Sequence, residues 1–398
     1  MKWIPACAGM TEKPTWIPAF AGMTNCDIIN LAKIQPKADP PLAETTPKYM
    51  LNFQDYFKEA IEKGASDLHL VAGNKPALRI DGELTFIGQE VIDQKFLESS
   101  LISILDANRT KIFNTNRELD FSIEIFDQRF RINLHFQSGN IGMSARYIKA
   151  EIPTPEAVNF TEAMMKMTKL KDGLILVTGP SGCGKSTTLA TMINMINEDR
   201  NSHIITIEDP IEYIFQDKKS IVEQREVGYD TLSFASALKY VLRQDPNVIM
   251  IGEMRDPETI EAALTAAETG HLVISTLHTS NAPESISRIV DSFPAHRRQQ
   301  VLVQLSIVLR GVIAQQLIPK IGGGLVAARE IMINNPAVSN IINENKVAQL
   351  ANVISTNQQV GMVDMNKSLE KLVEQGLIDD LMMKRYSRNT ETKGVYYN

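Results

Sequence analysis

Eight consecutive residues, Gly179-Pro180-Ser181-Gly182-Cys183-Gly184-Lys185-Ser186, have the types and spacing needed to hold a polyphosphate. The glycines let backbone N–H groups close around phosphate oxygens. The lysine can reach β- and γ-phosphates, and the serine hydroxyl can sit on Mg²⁺. Thr187 follows directly and is counted with the phosphate-binding group. An apolar run, Leu174-Ile175-Leu176-Val177, leads into the motif, and a helical run over 186–197 leaves it. A polyphosphate would therefore meet the positive end of a helix at the close of a buried strand. The chemistry expected of this segment is binding of a nucleotide such as ATP with Mg²⁺.

Hydrolysis needs a carboxylate to orient or deprotonate water, and charge to stabilise the transferring group. The run Val248-Ile249-Met250-Ile251-Gly252-Glu253 supplies a buried strand ending in glycine and a carboxylate. Ligands of a parallel sheet gather at the C-terminal ends of its strands, so Glu253 is expected to face the γ-phosphate. A second run, Thr206-Ile207-Glu208-Asp209-Pro210-Ile211-Glu212, crowds more acids onto the same edge. Glu208 is the second catalytic candidate, and these acids could hold Mg²⁺ through water. An ordinary acidic turn would read the same way.

Ser275-Thr276-Leu277-His278-Thr279 closes another strand, which places His278 to sense the γ-phosphate or relay its presence to a subunit interface. His271 is better read as closing a helix C-terminus, and His69, His135, His203 and His296 as structural. Arg225 and Arg255 are candidate phosphate or interface cations, although a surface ion pair is the commoner use of such a residue.

The elements that must position these groups follow from periodicity. Apolar strands at 174–178, 203–207, 248–252 and 272–277 alternate with helical stretches at 186–197, 233–243 and 257–268. That alternation predicts an α/β architecture, a mainly parallel sheet covered by helices. Asp256 as cap, Pro257 at the first helical position and Gly270 past the end delimit the last of these helices. Beyond 298 the chain reads as mostly helical, with a turn at Gly322-Gly323-Gly324.

Upstream, Phe53, Tyr56, Phe57, Ala60 and Ile61 share one side of a helix over 52–63 that Gly64 ends. Strand-like runs follow at 67–71, 77–80, 120–126, 129–136 and 141–148, with Asp81-Gly82 as a hairpin turn. The expected division is an N-terminal α+β domain over 50–150, a linker over 151–170, a nucleotide domain over 171–330 and a helical region over 331–398.

The first 49 residues differ in kind. Trp3-Ile4-Pro5-Ala6-Cys7-Ala8-Gly9-Met10-Thr11 recurs almost intact as Trp16-Ile17-Pro18-Ala19-Phe20-Ala21-Gly22-Met23-Thr24. Two short copies cannot build a solenoid, which needs several stacked units. The stretch that follows carries Pro36, Pro40, Pro41 and Pro47 and reads as linker or disorder. The segment is read as a disordered or mis-assigned extension, translated from repetitive DNA ahead of a start near Met50. A partner-binding tail is the alternative.

The totals agree with a soluble, multidomain chain. Its 398 residues exceed one ordinary core. A hydrophobic fraction of 43% with 22% charged residues is globular in kind. The net charge of −6 disfavours a dedicated nucleic-acid surface. The three cysteines, Cys7, Cys26 and Cys183, include no pair at metal-ligand spacing, and a free thiol in the phosphate loop fits a reducing cytoplasm. The longest near-apolar run, 301–318, is broken by Gln304, Arg310, Gln315 and Gln316 and reads as an amphipathic helix, not a transmembrane segment.

Taken together, these residues resemble the secretion ATPase superfamily that powers type II secretion and type IV pili. The family's phosphate loop matches 179–186, its acidic box Ile207-Glu208-Asp209-Pro210-Ile211-Glu212, its second nucleotide motif 242–256, and its histidine box 268–279. Gly64-Ala65-Ser66-Asp67-Leu68-His69-Leu70 looks like the start of that family's PAS-like domain. The likeness covers about 51–390. It implies a RecA-like P-loop domain, a smaller N-terminal PAS-like α+β domain and C-terminal helices.

The working form implied is a homo-hexameric ring, cytoplasmic and held at the inner membrane through a pilus platform protein, with no direct role for nucleic acid. ATP would lie between the two domains, approached by arginines of the N-terminal one, of which Arg131 is the candidate. The absence of a cysteine after Cys183 and the direct start at the PAS-like domain resemble the retraction branch, whose ATP hydrolysis drives pilin disassembly and twitching motility. An accessory retraction ATPase and an assembly or type II secretion ATPase are the alternatives. The sequence departs from the family at Asn247, where aspartate is usual, and at Ser339 and Asn343, where the retraction branch carries two arginines.

Overall fold

Alternating burial builds the first sheet. The computed structural model describes residues 52–80, 83–148 and 151–388. The 1–49 repeats and the Asp81-Gly82 turn lie outside the described residues. Helix α1 (Phe53–Glu62) buries Phe53, Tyr56, Phe57 and Ala60, the side its periodicity predicts. Six strands follow: β1 (Asp67–Val71), β2 (Ala77–Ile80), β3 (Glu83–Phe86), β4 (Glu118–Ile125), β5 (Gln128–Gln137) and β6 (Asn140–Ile148). They form an antiparallel sheet in the order β3-β2-β1-β6-β5-β4. Between β3 and β4 lie α2 (Gln94–Ile102) and α3 (Ala107–Asn116), capped by Asp93 and Asp106.

In β5 the buried residues are Phe130, Ile132 and Leu134, with Phe130 meeting Phe57 edge-on at 4.9 Å. Because successive side chains of a strand point to opposite faces, Arg129 and Arg131 are carried on the other side of the sheet. This is the first step in placing them.

The second sheet begins after α4 (Glu162–Thr168) and alternates strand with helix: β7 (Gly173–Thr178), α5 (Lys185–Asp199), β8 (His203–Glu208), β9 (Ile221–Glu226), α6 (Phe234–Val241), β10 (Val248–Ile251), α7 (Pro257–Glu268) and β11 (Leu272–Leu277). Helices α8 (Ala282–Asp291) and α9 (Ala295–Val308) lead into β12 (Leu309–Pro319) and β13 (Leu325–Ile333). The order is β13-β12-β7-β11-β10-β8-β9, parallel throughout except for β13. Every residue of β7, β10 and β11 is buried, as expected where helices cover both faces of a parallel sheet. Helices α10 (Pro336–Asn343), α11 (Leu350–Thr356), α12 (Met365–Glu374) and α13 (Asp380–Tyr386) complete the described chain.

Three readings of the sequence need correction. The run 301–318 is not one amphipathic helix: α9 ends at Val308 and the chain passes straight into strand β12. The region after 298 is therefore not mostly helical until 336, since β13 covers the first residues of the expected C-terminal helical region. Nor is 151–170 only a linker, for α4 buries Met164 and Met167 in the core beneath β7 and β12. Apolar runs of this length suit a helix and a buried strand equally, and no proline or glycine marks the change at Val308. Among the described residues, no helix is long and apolar enough to cross a membrane.

Candidate nucleotide-binding site

Strand β7 delivers the chain to Gly179, and α5 takes it up at Lys185. Gly179, Gly182 and Gly184 have φ of 146°, 75° and 84°, a region that side chains resist. A Cβ on Gly179 would stand 2.4 Å from the Gln315 carbonyl oxygen and 2.5 Å from Cys183 Sγ, so only glycine fits there. Gly184 is the N-cap of α5 and no side chain caps the helix. Its first-turn N–H groups are the donors that an anion would meet. Lys185 Nζ donates to the Gly179 and Pro180 carbonyls at 2.9 and 3.0 Å, which holds the ammonium over the loop. Burial pulls its pKa below the ordinary lysine range. This glycine cradle, uncapped helix and close ammonium fit a nucleotide polyphosphate.

Ser186 follows Lys185 in the first turn of α5 and is half-buried. The Thr187 hydroxyl is instead shared with Tyr213 at 2.9 Å, and so ties α5 to the acidic segment. Ser181 is exposed at the tip of the loop, Pro180 beside it.

Glu253 lies just beyond β10, with 13% of its side chain exposed. Arg255 Nη2 stands 2.7 Å from one oxygen and His278 Nε2 3.5 Å from the other. Lys185 feels the charges of Glu253 and Glu212. His278, at the end of β11, is pulled below the usual histidine range by burial and by Lys185. Thus Lys185, Glu212, Glu253 and His278 are gathered at one end of the parallel sheet.

Glu208 is different. Its Oε1 accepts from Thr206 Oγ1 at 2.7 Å and Gln224 Nε2 at 3.1 Å, and its Oε2 from the Glu212 N–H at 3.4 Å. Burial raises its pKa to about 7. Both oxygens of this second catalytic candidate are engaged within the fold. It shapes the turn that carries Asp209 and Glu212.

Arg131 reaches the neighbourhood of that turn from β5. Asp120 holds it through Nε at 3.2 Å and Nη2 at 2.6 Å, and the charges of Glu212 and Asp209 act on it. Arg129, on the same face, donates to the Ile211 carbonyl at 3.3 Å and lies 3.4 Å from Glu226, which joins the two sheets. Arg225 is not drawn to the phosphate loop: its Nη2 donates to the Asp230 carbonyl at 3.3 Å, and its buried Nη1 has no hydrogen-bond partner among the described residues.

Two residues escaped the sequence reading. Gln315, in β12, donates from Nε2 to the Cys183 carbonyl at 2.7 Å and accepts from Thr188 Oγ1 at 2.9 Å. Arg329, in β13, donates from Nε to Gln315 Oε1 at 3.3 Å. They brace the phosphate loop from strands that the sequence hid. The polar residues that interrupt the 301–318 run, Gln315 among them, were the available signal.

The chain is similar to known proteins over most of its length. The family described as type II/IV secretion system protein matches residues 150–391. The chain is 47% identical over 318 residues to the type IV pilus retractation ATPase PilT of Pseudomonas aeruginosa, covering 80% of this chain and 92% of that protein. It is 38% identical over 330 residues to the type IV pilus ATPase PilU of the same organism, covering 82% and 86%. A crystal structure of the pilus retraction motor PilT with bound ADP superposes with a TM-score of 0.80 at 46% identity, covering 86% of this chain and 98% of that one.

Proposed function

The chain belongs to the type II/IV secretion system protein family, and we propose that it is a ring-forming ATPase motor whose turnover withdraws type IV pili and so drives twitching motility. The observation that carries this reading is the convergence of Lys185, Glu253 and His278 behind a glycine cradle, in a chain more similar to PilT than to PilU. ATP hydrolysis follows from that membership. An accessory motor of the PilU kind is the second reading, favoured only by Ser339 and Asn343.

The chain's own groups divide the work. N–H groups of the loop and of the first turn of α5 bind the phosphates, and Lys185 offsets the charge of the β- and γ-phosphates. Glu253, fixed between Arg255 and His278, orients a water and takes its proton as the water attacks phosphorus and ADP leaves. Ser186 would hold Mg²⁺, with Asp209 and Glu212 reaching it through water. Bound there, the ion would neutralise phosphate charge. Arg131 would approach the nucleotide from the N-terminal sheet and report its state, and Arg129 would transmit movement between the sheets.

The hexamer implied by this reading is supported by exposed apolar side chains on β9, α6 and the loop between them: Ile221, Tyr229, Leu232 and Tyr240. Docking to a platform protein at the inner membrane belongs to the same proposal. The deciding experiment is deletion of the gene and a count of surface pili. Accumulated pili with lost twitching are expected, and loss of pili would assign the chain to assembly.

A further inference from the structure

A guanidinium lies buried directly behind the phosphate loop with no acid to balance it. Arg329 is 5% exposed. Its Nε donates to Gln315 Oε1 at 3.3 Å, its Nη1 to the Asn159 carbonyl at 3.0 Å, and its Cζ lies 5.7 Å from the Phe160 ring centroid. All these partners are neutral. The neighbouring Glu330 is engaged elsewhere, by the Ala282 N–H and Arg388. Among the described residues no carboxylate pairs with Arg329, and the one ionisable group acting on it is the Cys183 thiol. That thiol sits in the loop itself, where burial keeps it above the usual range and so uncharged at neutral pH.

An unpaired buried charge is costly to a fold. It is tolerated where something else uses it. Gln315 links this charge to the loop, since the side chain that accepts from Arg329 also donates to the Cys183 carbonyl at 2.7 Å. We propose that Arg329 is a positioning residue for nucleotide di- and triphosphates, supplying positive potential from behind the loop and acting through Gln315 on the Cys183 backbone. A polyphosphate seated in the cradle is the missing counter-charge. Low-dielectric surroundings let such a charge act at a distance that water would screen. The side chain that holds the charge also fixes the Asn159 connector, so the same bonds would stiffen the approach to α4 when nucleotide binds.

The inference rests on the nucleotide site assigned above, and the test separates the two. ADP affinity is measured by titration calorimetry on the full chain, with melting temperature recorded for each variant. Lys185→Ala should abolish detectable ADP binding; retained binding would sink the site assignment itself. Arg329→Met should weaken ADP binding about tenfold, with melting temperature unchanged or raised because an unbalanced buried charge has gone. Arg329→Lys should restore most of the affinity at pH 6. A folded Arg329→Met protein that binds ADP like wild type, or that only melts lower, overturns the proposal in favour of a brace.

Should Arg329→Met fail to fold, Arg329→Lys decides alone. Residue 329 is faced by Gln315, Asn159, Phe160 and Cys183, of which only the thiol titrates, and comparison with wild type at each pH removes its effect and that of Lys185. The ratio of ADP dissociation constants, variant over wild type, should climb about tenfold between pH 6 and pH 9.5 as the buried ammonium loses its proton. A flat ratio rejects the idea.

Discussion

His278 Nε2 stands 3.5 Å from Glu253 Oε2, so the ends of two adjacent parallel strands, β11 and β10, meet at one carboxylate. Burial and the nearby Lys185 keep the imidazole below the usual histidine range. At neutral pH the contact is therefore made by a neutral ring, which fixes the carboxylate without cancelling its charge. Arg255 holds the other oxygen at 2.7 Å from a largely exposed position. Two partners, one on each oxygen, give the carboxylate a single orientation.

That geometry predicts the outcome of Glu253→Gln. The amide matches the carboxylate in shape but cannot take a proton, so turnover should fall by about a hundredfold or more. ADP affinity should stay within about threefold of wild type, since the phosphate cradle is untouched. Phosphate release and ADP titration on the purified variant measure the two quantities. Undiminished turnover would move the proton acceptor to Asp209 or Glu212.

Glu208 should reveal itself through the pH dependence of stability. Burial lifts its pKa from 4.5 to about 7 in the folded chain. A raised carboxyl pKa means that the native state binds the proton more tightly than the unfolded one. Its contribution is full below the unfolded value and is lost as pH rises through about 7. Glu208→Gln should remove that decline and flatten melting temperature between pH 5 and 7.5, by no more than about 3 kcal/mol. The amide can still accept from Thr206 and Gln224. A variant with the wild-type slope would show that this group does not titrate in the window.

Much of the site was legible because its residues stand at the ends of parallel strands. Lys185, Glu253 and His278 follow β7, β10 and β11, whose mainly apolar runs announce them, and a parallel sheet gathers such ends by construction. Periodicity says little about what stands behind the loop. Gln315 and Arg329 come from β12 and β13, and β12 shares one near-apolar run with α9 in which helix and strand look alike. The surroundings of Glu208 are hidden for a related reason. Sequence gives a residue's place at a strand end but not the partners, Thr206 and Gln224, that turn it inward. The helices α2 and α3 carry weak apolar faces, burying only Leu97, Leu101 and Phe113, and so left little trace in the pattern.

Arg129 should act as a joint between the two sheets. It donates to the Ile211 carbonyl and pairs with Glu226, whose side chain is 9% exposed. Arg129→Met would remove the cation paired with that carboxyl, leaving only the more distant charge of Arg109, and should destabilise the chain by roughly 1–3 kcal/mol in urea unfolding. Glu226→Gln in the same background should recover part of the loss, because the uncompensated charge is then gone. Strict additivity of the two changes would mean that the pair is not coupled.

The last prediction concerns Ser339 and Asn343, which line an open groove with Ser306, Ile307, Asn334 and Asn340. Ser339 Oγ donates to the Ser306 carbonyl at 2.8 Å, binding α10 to the end of α9, while Asn343 is exposed and its carbonyl accepts from Gln299. An arginine at 343 enters open solvent. One at 339 forfeits a single hydrogen bond, about 1 kcal/mol, and can extend into the groove. Neither residue hydrogen-bonds to the phosphate loop, so Ser339→Arg/Asn343→Arg should leave ADP affinity within about twofold of wild type. If the two missing arginines weaken coupling between turnover and pilus withdrawal, the double variant should raise twitching in a strain lacking its own retraction motor, with ATP turnover per ring unchanged. Full twitching supported by the wild-type chain, with no gain from the arginines, would mean that this chain couples hydrolysis to withdrawal without cations at those positions.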